Sequence, residues 1–430
     1  MDFSIFAYVA LLLFAALLST RLMKLFKLPN VTGYIVTGII MGPFVFGLLF
    51  NNFTYEGIKT SVIYNHVESI KWVSTIALGF IAFSIGTSFK IATLKTVGKR
   101  VLVITILEAL LASVFVIVAL LVGHFIRPDL ISWEMVLTLG AIASATAPAA
   151  TLMVIKQYNA KGSMVNTLLP VVALDDAAAL ILFAILFQIA TALAGGNLSL
   201  YSMLLKPLIE IALSIVIGLV LGFLISFMNR FFKSRNNRLI WTIFSVFAAV
   251  GIYYLFKQPQ LGGFELSSLL MCMMAGAVYV NMCKDTNKTL DVFDRFTSPI
   301  YMMFFVISGA SLDLTIFFSG NGLLVVIVAF VYIIFRVIGK YLGAFTGATI
   351  TQCEPKIKKY LGLTLVPQAG VAIGLATTAN YLFSANEATK ETGALIIAIV
   401  LTSTLVYELV GPLVSKYALT KAGEIESQKE

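Results

Sequence analysis

The stretch TLLPVVALDDAAALILFAILFQIA, residues 167–190, decides how the chain is read. It is apolar over more than the roughly 18 residues that an α-helix needs to cross a bilayer. Two adjacent acids, Asp175 and Asp176, stand inside it. A charged side chain at that depth costs about 2.5–3.5 kcal/mol on insertion scales, so such residues mark a site or a partner.

The rest of the chain suits lipid as its solvent. Of its 430 residues 59% are hydrophobic and 12% charged, and the mean hydropathy is +0.97. Soluble domains carry about 25% charged residues, which they need to face water. Thirteen hydrophobic segments recur, at about 3–20, 31–50, 72–89, 99–126, 133–155, 164–194, 204–229, 239–256, 264–283, 297–317, 321–349, 358–384 and 392–415. The first has no basic stretch before it and no A-x-A site after it, so it reads as a retained helix rather than a signal peptide. The expected fold is an all-α polytopic membrane protein of about 13 transmembrane helices. Residues 1–430 would form a single transmembrane domain with no soluble regulatory domain, the polar end after Lys416 being brief.

The net charge of +9 does not require nucleic acid. With the N-terminus outside, 22 of the 30 lysines and arginines fall in inside loops, among them Arg21, Lys99, Lys161, Arg238, Lys356 and Lys416. Six fall outside: Lys59, Lys71, Arg127, Lys206, Lys257 and Lys390. This asymmetry predicts an external N-terminus and a cytoplasmic C-terminus in the cell membrane. Arg336 and Lys340 lie within a hydrophobic segment. Cys272, Cys283 and Cys353 show no CxxC spacing, and His66 and His124 fall in expected loops, so no redox centre, transition metal or cofactor is expected.

Two segments are punctuated as broken helices. One contains Ala145-Thr146-Ala147-Pro148-Ala149, the other Val366-Pro367-Gln368-Ala369-Gly370. In each, a proline removes a backbone donor beside small or polar residues that can line a cavity. They are seven segments apart, an odd offset that reverses orientation in the membrane, as an inverted repeat requires. Where such helices cross, unlike half-helix ends neutralise each other and leave carbonyls, with the Thr146 hydroxyl, as cation ligands. Oxygen ligands suit Na⁺, Li⁺ or K⁺.

The buried charges are Glu108, Asp175, Asp176, Arg336, Lys340 and Glu408, with Glu210 and Asp313 nearer segment ends. Asp175 and Asp176 lie about a dozen residues, roughly 18 Å, into a helix entering from the inside. Lys340 lies at comparable depth. Adjacent helical residues point about 100° apart, so one aspartate can face a cation while the other faces a cavity. Two carboxylates this close in low dielectric cannot both stay ionised unpaired. A carboxylate that takes either a proton or a hard cation makes the two exclude each other, which is the chemistry of exchange. Either Lys340 or Arg336, one turn apart, is placed to be the partner of Asp175. A packing ion pair would account for Glu108 with Arg336, though not for the double acid.

These residues resemble the monovalent cation:proton antiporters, specifically the second cation:proton antiporter family of bacterial sodium/proton exchangers. The resemblance spans nearly the whole chain. It rests on Leu28-Pro29-Asn30-Val31-Thr32-Gly33-Tyr34 running on to Gly38 and Gly42-Pro43, on Phe83-Ser84-Ile85-Gly86, on Ala145-Thr146-Ala147-Pro148, on Leu174-Asp175-Asp176 and on Ile338-Gly339-Lys340. It implies that Asp176 binds the cation and a proton alternately. It also implies that Asp175 forms a breakable salt bridge with Lys340, that Thr146 contributes to the ion site, and that Glu108 and Arg336 form a structural ion pair. Transport of Na⁺ (or Li⁺) against protons would be electrogenic. A core bundle of about 99–194 and 321–415 would move, elevator-like, against a scaffold of about 3–89 and 204–317 that forms a homodimer. A potassium/proton antiporter shares these motifs, and a sodium-coupled organic-anion symporter shares the crossed helices without needing the Asp-Asp-Lys set. A channel needs no buried titratable pair. A membrane hydrolase is set aside because no HExxH or GxSxG stands in the sequence.

Overall fold

A computed structural model describes residues 4–425, except 27, 50–60, 88, 129, 194–204, 233, 259–263, 265, 284–285, 312–321 and 385–388, and except the side chains of 92–97, 207, 287–288 and 381. The described residues are helical and contain no strand. In chain order the helices are α1 (Ser4–Leu25), α2 (Asn30–Met41), α3 (Phe46–Leu49), α4 (Val62–Gly86), α5 (Ile91–Ile126), α6 (Trp133–Ile142), α7 (Pro148–Gln157) and α8 (Ser163–Leu193). They continue as α9 (Lys206–Phe231), α10 (Arg235–Phe256), α11 (Ser268–Met282), α12 (Thr286–Ala310), α13 (Gly322–Ile350), α14 (Pro355–Tyr360), α15 (Gly370–Phe383) and α16 (Lys390–Lys421). Among the described residues nine helices are long and apolar enough to span a membrane alone, and ten if α14, continued by the 3-10 turn Leu361–Leu365, and α15, bent by 46° about their break, count as one.

Each of the thirteen segments carries helix, and the remaining three fail the length or composition test for visible reasons. One is broken into α6 and α7, α11 has only 15 residues, and α12 begins with the charged run Lys288, Asp291, Asp294 and Arg295. Helices outrun their apolar stretches. α4 starts at Val62, not about residue 72, and so takes in His66, expected in a loop. There His66 is buried, with Nδ1 against the Val62 carbonyl and Nε2 against the Ser4 hydroxyl, both at 2.6 Å. His124, within the segment expected at about 99–126, lies in the last turn of α5 rather than in a loop, its Nδ1 2.6 Å from the Ile131 carbonyl. A hydropathy window sees only the lipid-contacting length of a helix. Polar first and last turns that reach local partners extend it unseen.

The chain divides into two units, residues 1–95 with 210–313, and residues 96–209 with 314–430. In the first, α2 packs on α12 and α11 on α4. The second repeats one order twice: a long helix (α5, α13), a broken helix (α6 with α7, α14 with α15) and a long helix (α8, α16). Its core has two parts. One is built on Val116, Leu139, Phe183, Phe187 and Phe383, the other on Ile104, Met164, Leu168 and Leu365.

One approach within this unit governs everything near its charges. Gly339, Gly343 and Gly347 form a stripe on α13 at the four-residue spacing that lets two membrane helices meet backbone to backbone. A methyl group built on Gly339 would lie 2.6 Å from the Leu111 carbonyl, one on Gly343 2.3 Å from Glu108 Cα, and one on Gly347 2.8 Å from Ile104 Cα. α5 and α13 are therefore locked together at Glu108. Gly343→Val forces these backbones apart and is expected to cost about 1–3 kcal/mol, as overpacking does. The check is thermal unfolding of the purified protein in detergent, where an unchanged midpoint would contradict the packing.

Candidate functional site

The second unit holds the candidate site where α5, the break between α6 and α7, α8, α13 and the break between α14 and α15 converge. Both breaks arise from local chemistry. α6 ends at Ile142, and α7 restarts at Pro148, whose missing N–H is no loss in a first turn. Ala147 is extended, with φ −93° and ψ 110°, and donates its N–H 2.9 Å to the Pro367 carbonyl of the other break. The Thr151 hydroxyl donates 3.0 Å to the Thr364 carbonyl, and Gln368 Nε2 donates 2.9 Å to the Ile142 carbonyl. Thus the two interrupted helices cross and satisfy each other's backbone, as irregular chain at membrane depth must.

Arg336 completes that crossing. It is wholly buried, and its guanidinium donates from Nε to the Ala143 carbonyl at 3.0 Å, from Nη1 to Val366 at 2.7 Å and from Nη2 to Ala145 at 2.6 Å. Its flat face lies 4.6 Å from the centre of the Tyr407 ring. The fork-shaped cation collects three carbonyls from two breaks, a task for which a point-charge ammonium is poorly shaped. The expected Glu108–Arg336 ion pair is not formed. The guanidinium is engaged by the crossing, and Glu108 belongs to Lys340.

Lys340, one turn further along α13, reaches Asp175 Oδ1 and Oδ2 at 3.2 and 3.1 Å and Glu108 Oε2 at 2.5 Å, and donates to the Ser144 carbonyl. Lys340, Glu108 and Asp175 are all fully buried. An ammonium has three donors, and here each has an acceptor. The choice left open by the sequence, whether Lys340 or Arg336 faces Asp175, falls on Lys340. Asp176 points elsewhere: it is 6% exposed, and its Oδ1 meets no hydrogen-bond partner among the described residues. The hydroxyl of Thr146, 1% exposed, is also without a partner. Buried polar atoms are almost always paired, and of the unpartnered ones in this unit, which also include the hydroxyls of Thr138, Thr402, Thr404 and Ser415, these two stand next to the ion pair and at the helix break. No group of three or more His, Cys, Asp or Glu suited to holding a metal ion occurs among the described residues. Two carboxylates, a hydroxyl and broken-helix carbonyls are oxygen donors, the kind that suit a hard cation.

Residues 9–416 match a family model described as the transmembrane part of the sodium/hydrogen exchangers. The chain belongs to the sodium/hydrogen exchanger family. It is therefore a multi-pass membrane transporter that exchanges sodium ions for protons, not an enzyme. In fold the exchanger is similar to the sodium proton antiporter MjNhaP1 from Methanocaldococcus jannaschii. The structure of that protein at pH 8 aligns with a TM-score of 0.70 at 18% identity over 98% of each chain. A structure of it from an electron-microscopy map aligns with a TM-score of 0.76 at 18% identity over 100% of each. No curated protein matches the exchanger in sequence. The branch suggested by the motifs needs a small correction: the matches lie with the first cation:proton antiporter branch, the same kind of antiporter.

Several residues of the exchanger's site carry no signal in sequence. Ser144 acts through its carbonyl, which any residue supplies. Tyr332 is wholly buried, its hydroxyl 2.9 Å from Gln368 Nε2. Pro170, five residues before Asp175, sits inside α8 and removes one of its backbone donors. Glu424 is buried, accepts from the Met164 and Val165 N–H groups at 2.7 Å each and lies 3.0 Å from Lys356 Nζ. It caps the start of the helix that carries both aspartates, although it belongs to a tail read only as a brief polar end. Glu408 is buried on α16, Glu210 is half-buried on α9, and Asp313 lies outside the described residues. Arg336→Lys keeps three donors but loses the planar fork that spans carbonyls on both breaks, and each carbonyl left unpaired costs about 1–3 kcal/mol. The variant is expected to lower the unfolding midpoint in detergent by several degrees, at about 1–2 degrees per kcal/mol for a chain of this size; a wild-type midpoint would refute the clamp.

Proposed function

We propose that Asp176 is the shared seat of the transported cation and a proton, with Thr146 and the carbonyls of the helix breaks completing the cation shell, and that Asp175 is the switchable partner of Lys340. The observation that carries this is the unequal treatment of two adjacent carboxylates. Asp175 has its oxygens engaged by an ammonium, whereas Asp176 keeps a buried oxygen unengaged. A cation arriving at Asp176 draws on Asp175 as well and competes with Lys340 for it. Proton loading of the same carboxylates expels the cation. The two ligands thus exclude each other, and alternating exposure to the two sides converts exclusion into exchange.

With two titrating aspartates, more than one proton returns per cation, so the exchange is electrogenic. The cargo is Na⁺ or Li⁺, and no cofactor takes part. The second unit, which holds every residue of the site, is the moving carrier in an elevator-like cycle, and the first is the scaffold through which two copies form a homodimer. The exchanger lies in the cell membrane with its N-terminus outside and its C-terminus in the cytoplasm, an orientation supported by the distribution of lysines and arginines.

Asp176→Asn is expected to abolish sodium-dependent proton movement in proteoliposomes while the protein still inserts and purifies as the wild type does; exchange retained in that variant would remove Asp176 from the site. Dequenching of a pH dye with Na⁺, Li⁺ and K⁺ added in turn reads the cargo, and a response to K⁺ alone would overturn the sodium assignment. Clamping the membrane voltage is expected to change the rate, and a rate indifferent to voltage would contradict electrogenic exchange.

A further inference from the structure

Lys340 has two carboxylates, not one. Its ammonium sits 2.5 Å from Glu108 Oε2 and 3.1 Å from the nearer oxygen of Asp175. The two acids are held differently. Glu108 stands on α5, and the glycine stripe of α13 presses Gly343 against the Glu108 backbone and Gly339 against Leu111 and Ala112. Lys340 follows Gly339 directly, so the ammonium and the Glu108 carboxylate are carried by two backbones in contact. Asp175 stands on α8, next to the residue with the unengaged oxygen. If Asp175 were its one carboxylate, a cation that took Asp175 would leave the ammonium on the Ser144 carbonyl with no counter-charge in a dry interior. Such a group must shed its proton or block the step, because an unpaired buried charge costs several kcal/mol.

We propose that Glu108 is a positioning residue of the exchange, a fixed second seat on which Lys340 stays protonated throughout the cycle, so that Asp175 and Asp176 are the two groups that trade protons for the cation. The proposal rests on the assignment of Asp176 as the cation seat. The balance closes without Lys340. With the cation bound, both aspartates are ionised around it and the ammonium rests on Glu108. When the cation leaves, Asp175 first falls back on the ammonium, as in the structure, and each aspartate then takes one proton from the same side while the ammonium stays on Glu108. Two protons cross for one monovalent cation, and one net charge moves per cycle.

Three variants in proteoliposomes test this, with Asp176→Asn beside them. Lys340→Arg puts a group that cannot be deprotonated in place of the lysine. The expected result is slower exchange with an unchanged number of protons per sodium ion, read from the gradients and voltage at which net flux vanishes. A ratio lower by one proton, or exchange abolished in a folded variant, would show that Lys340 must release its proton and would overturn the proposal. Glu108→Gln leaves Lys340 with Asp175 as its one charged partner, so the cation competes against a tighter pair. The apparent KM for Na⁺ is expected to rise about tenfold or more, the effect of strengthening one charge-assisted contact, with a smaller change in maximal rate. Glu108→Asp, which keeps the charge, is expected to fall between Glu108→Gln and wild type. A merely structural Glu108 would lower the yield of folded protein or the maximal rate and leave KM within twofold of wild type, which would also overturn the proposal. If Glu108→Gln does not fold, the KM of Glu108→Asp and the proton ratio of Lys340→Arg decide between the same outcomes. Exchange that persists in Asp176→Asn would bring down the assignment of the cation seat, and is told apart from failure of the Glu108 proposal because it needs no change at Glu108 or Lys340.

Discussion

The structure of the second unit depends on one constraint: charge in a low-dielectric interior must be matched group by group. Two cations, Arg336 and Lys340, stand one turn apart on α13, and the three buried carboxyls of α5 and α8 are Glu108, Asp175 and Asp176. The guanidinium is spent on backbone carbonyls, so a single ammonium remains for three acids. It reaches two of them. The third, Asp176, is left with a buried oxygen that has no partner. That deficit of positive charge is what a sodium ion or protons can make good, and it exists because the broken helices claim Arg336.

The crossing is therefore more than a scaffold. Two helices interrupted at membrane depth expose carbonyls that lipid cannot satisfy. Some are tied across the crossing, by Ala147 to Pro367 and by Thr151 to Thr364, and three more are gathered by Arg336. The ring of Tyr407, on α16, under the guanidinium and the contact of Tyr332, on α13, with Gln368 in the second break hold the clamp in place. A rigid crossing holds the Ser144 carbonyl and Thr146 in place, and with them one ligand of Lys340 and one candidate ligand of the cargo.

Much of this was legible in the sequence. Hydropathy placed all thirteen helical segments, because a bilayer demands long apolar runs and little else produces them. Proline beside small residues marked both breaks within a few positions, and buried acids marked themselves by their cost. The division of labour between Arg336 and Lys340 was not legible. The two are one turn apart on the same face, and the sequence shows their charges but not the reach of each to its neighbours. That reach is set by the close approach of α5 and α13 at Gly343, which brings Glu108 to the lysine, and by the path of the two breaks, which brings three carbonyls to the arginine. Gly339, Gly343 and Gly347 stand at four-residue spacing, yet spacing alone does not name the helix they press against. The starts of α4 and α12 were missed for a simpler reason: their polar first turns find partners that a hydropathy window does not count.

The central claim is that cation and proton compete for the aspartate pair, and linkage makes that directly measurable. Calorimetric titration of the purified exchanger with Na⁺ in buffers of different ionisation enthalpy counts the protons released as the ion binds. The account predicts that sodium binding expels protons, that expulsion fades as the pH is raised and the aspartates are already ionised, and that both binding and expulsion disappear in Asp176→Asn. Sodium binding without proton release at every pH, or release undiminished in Asp176→Asn, would contradict it.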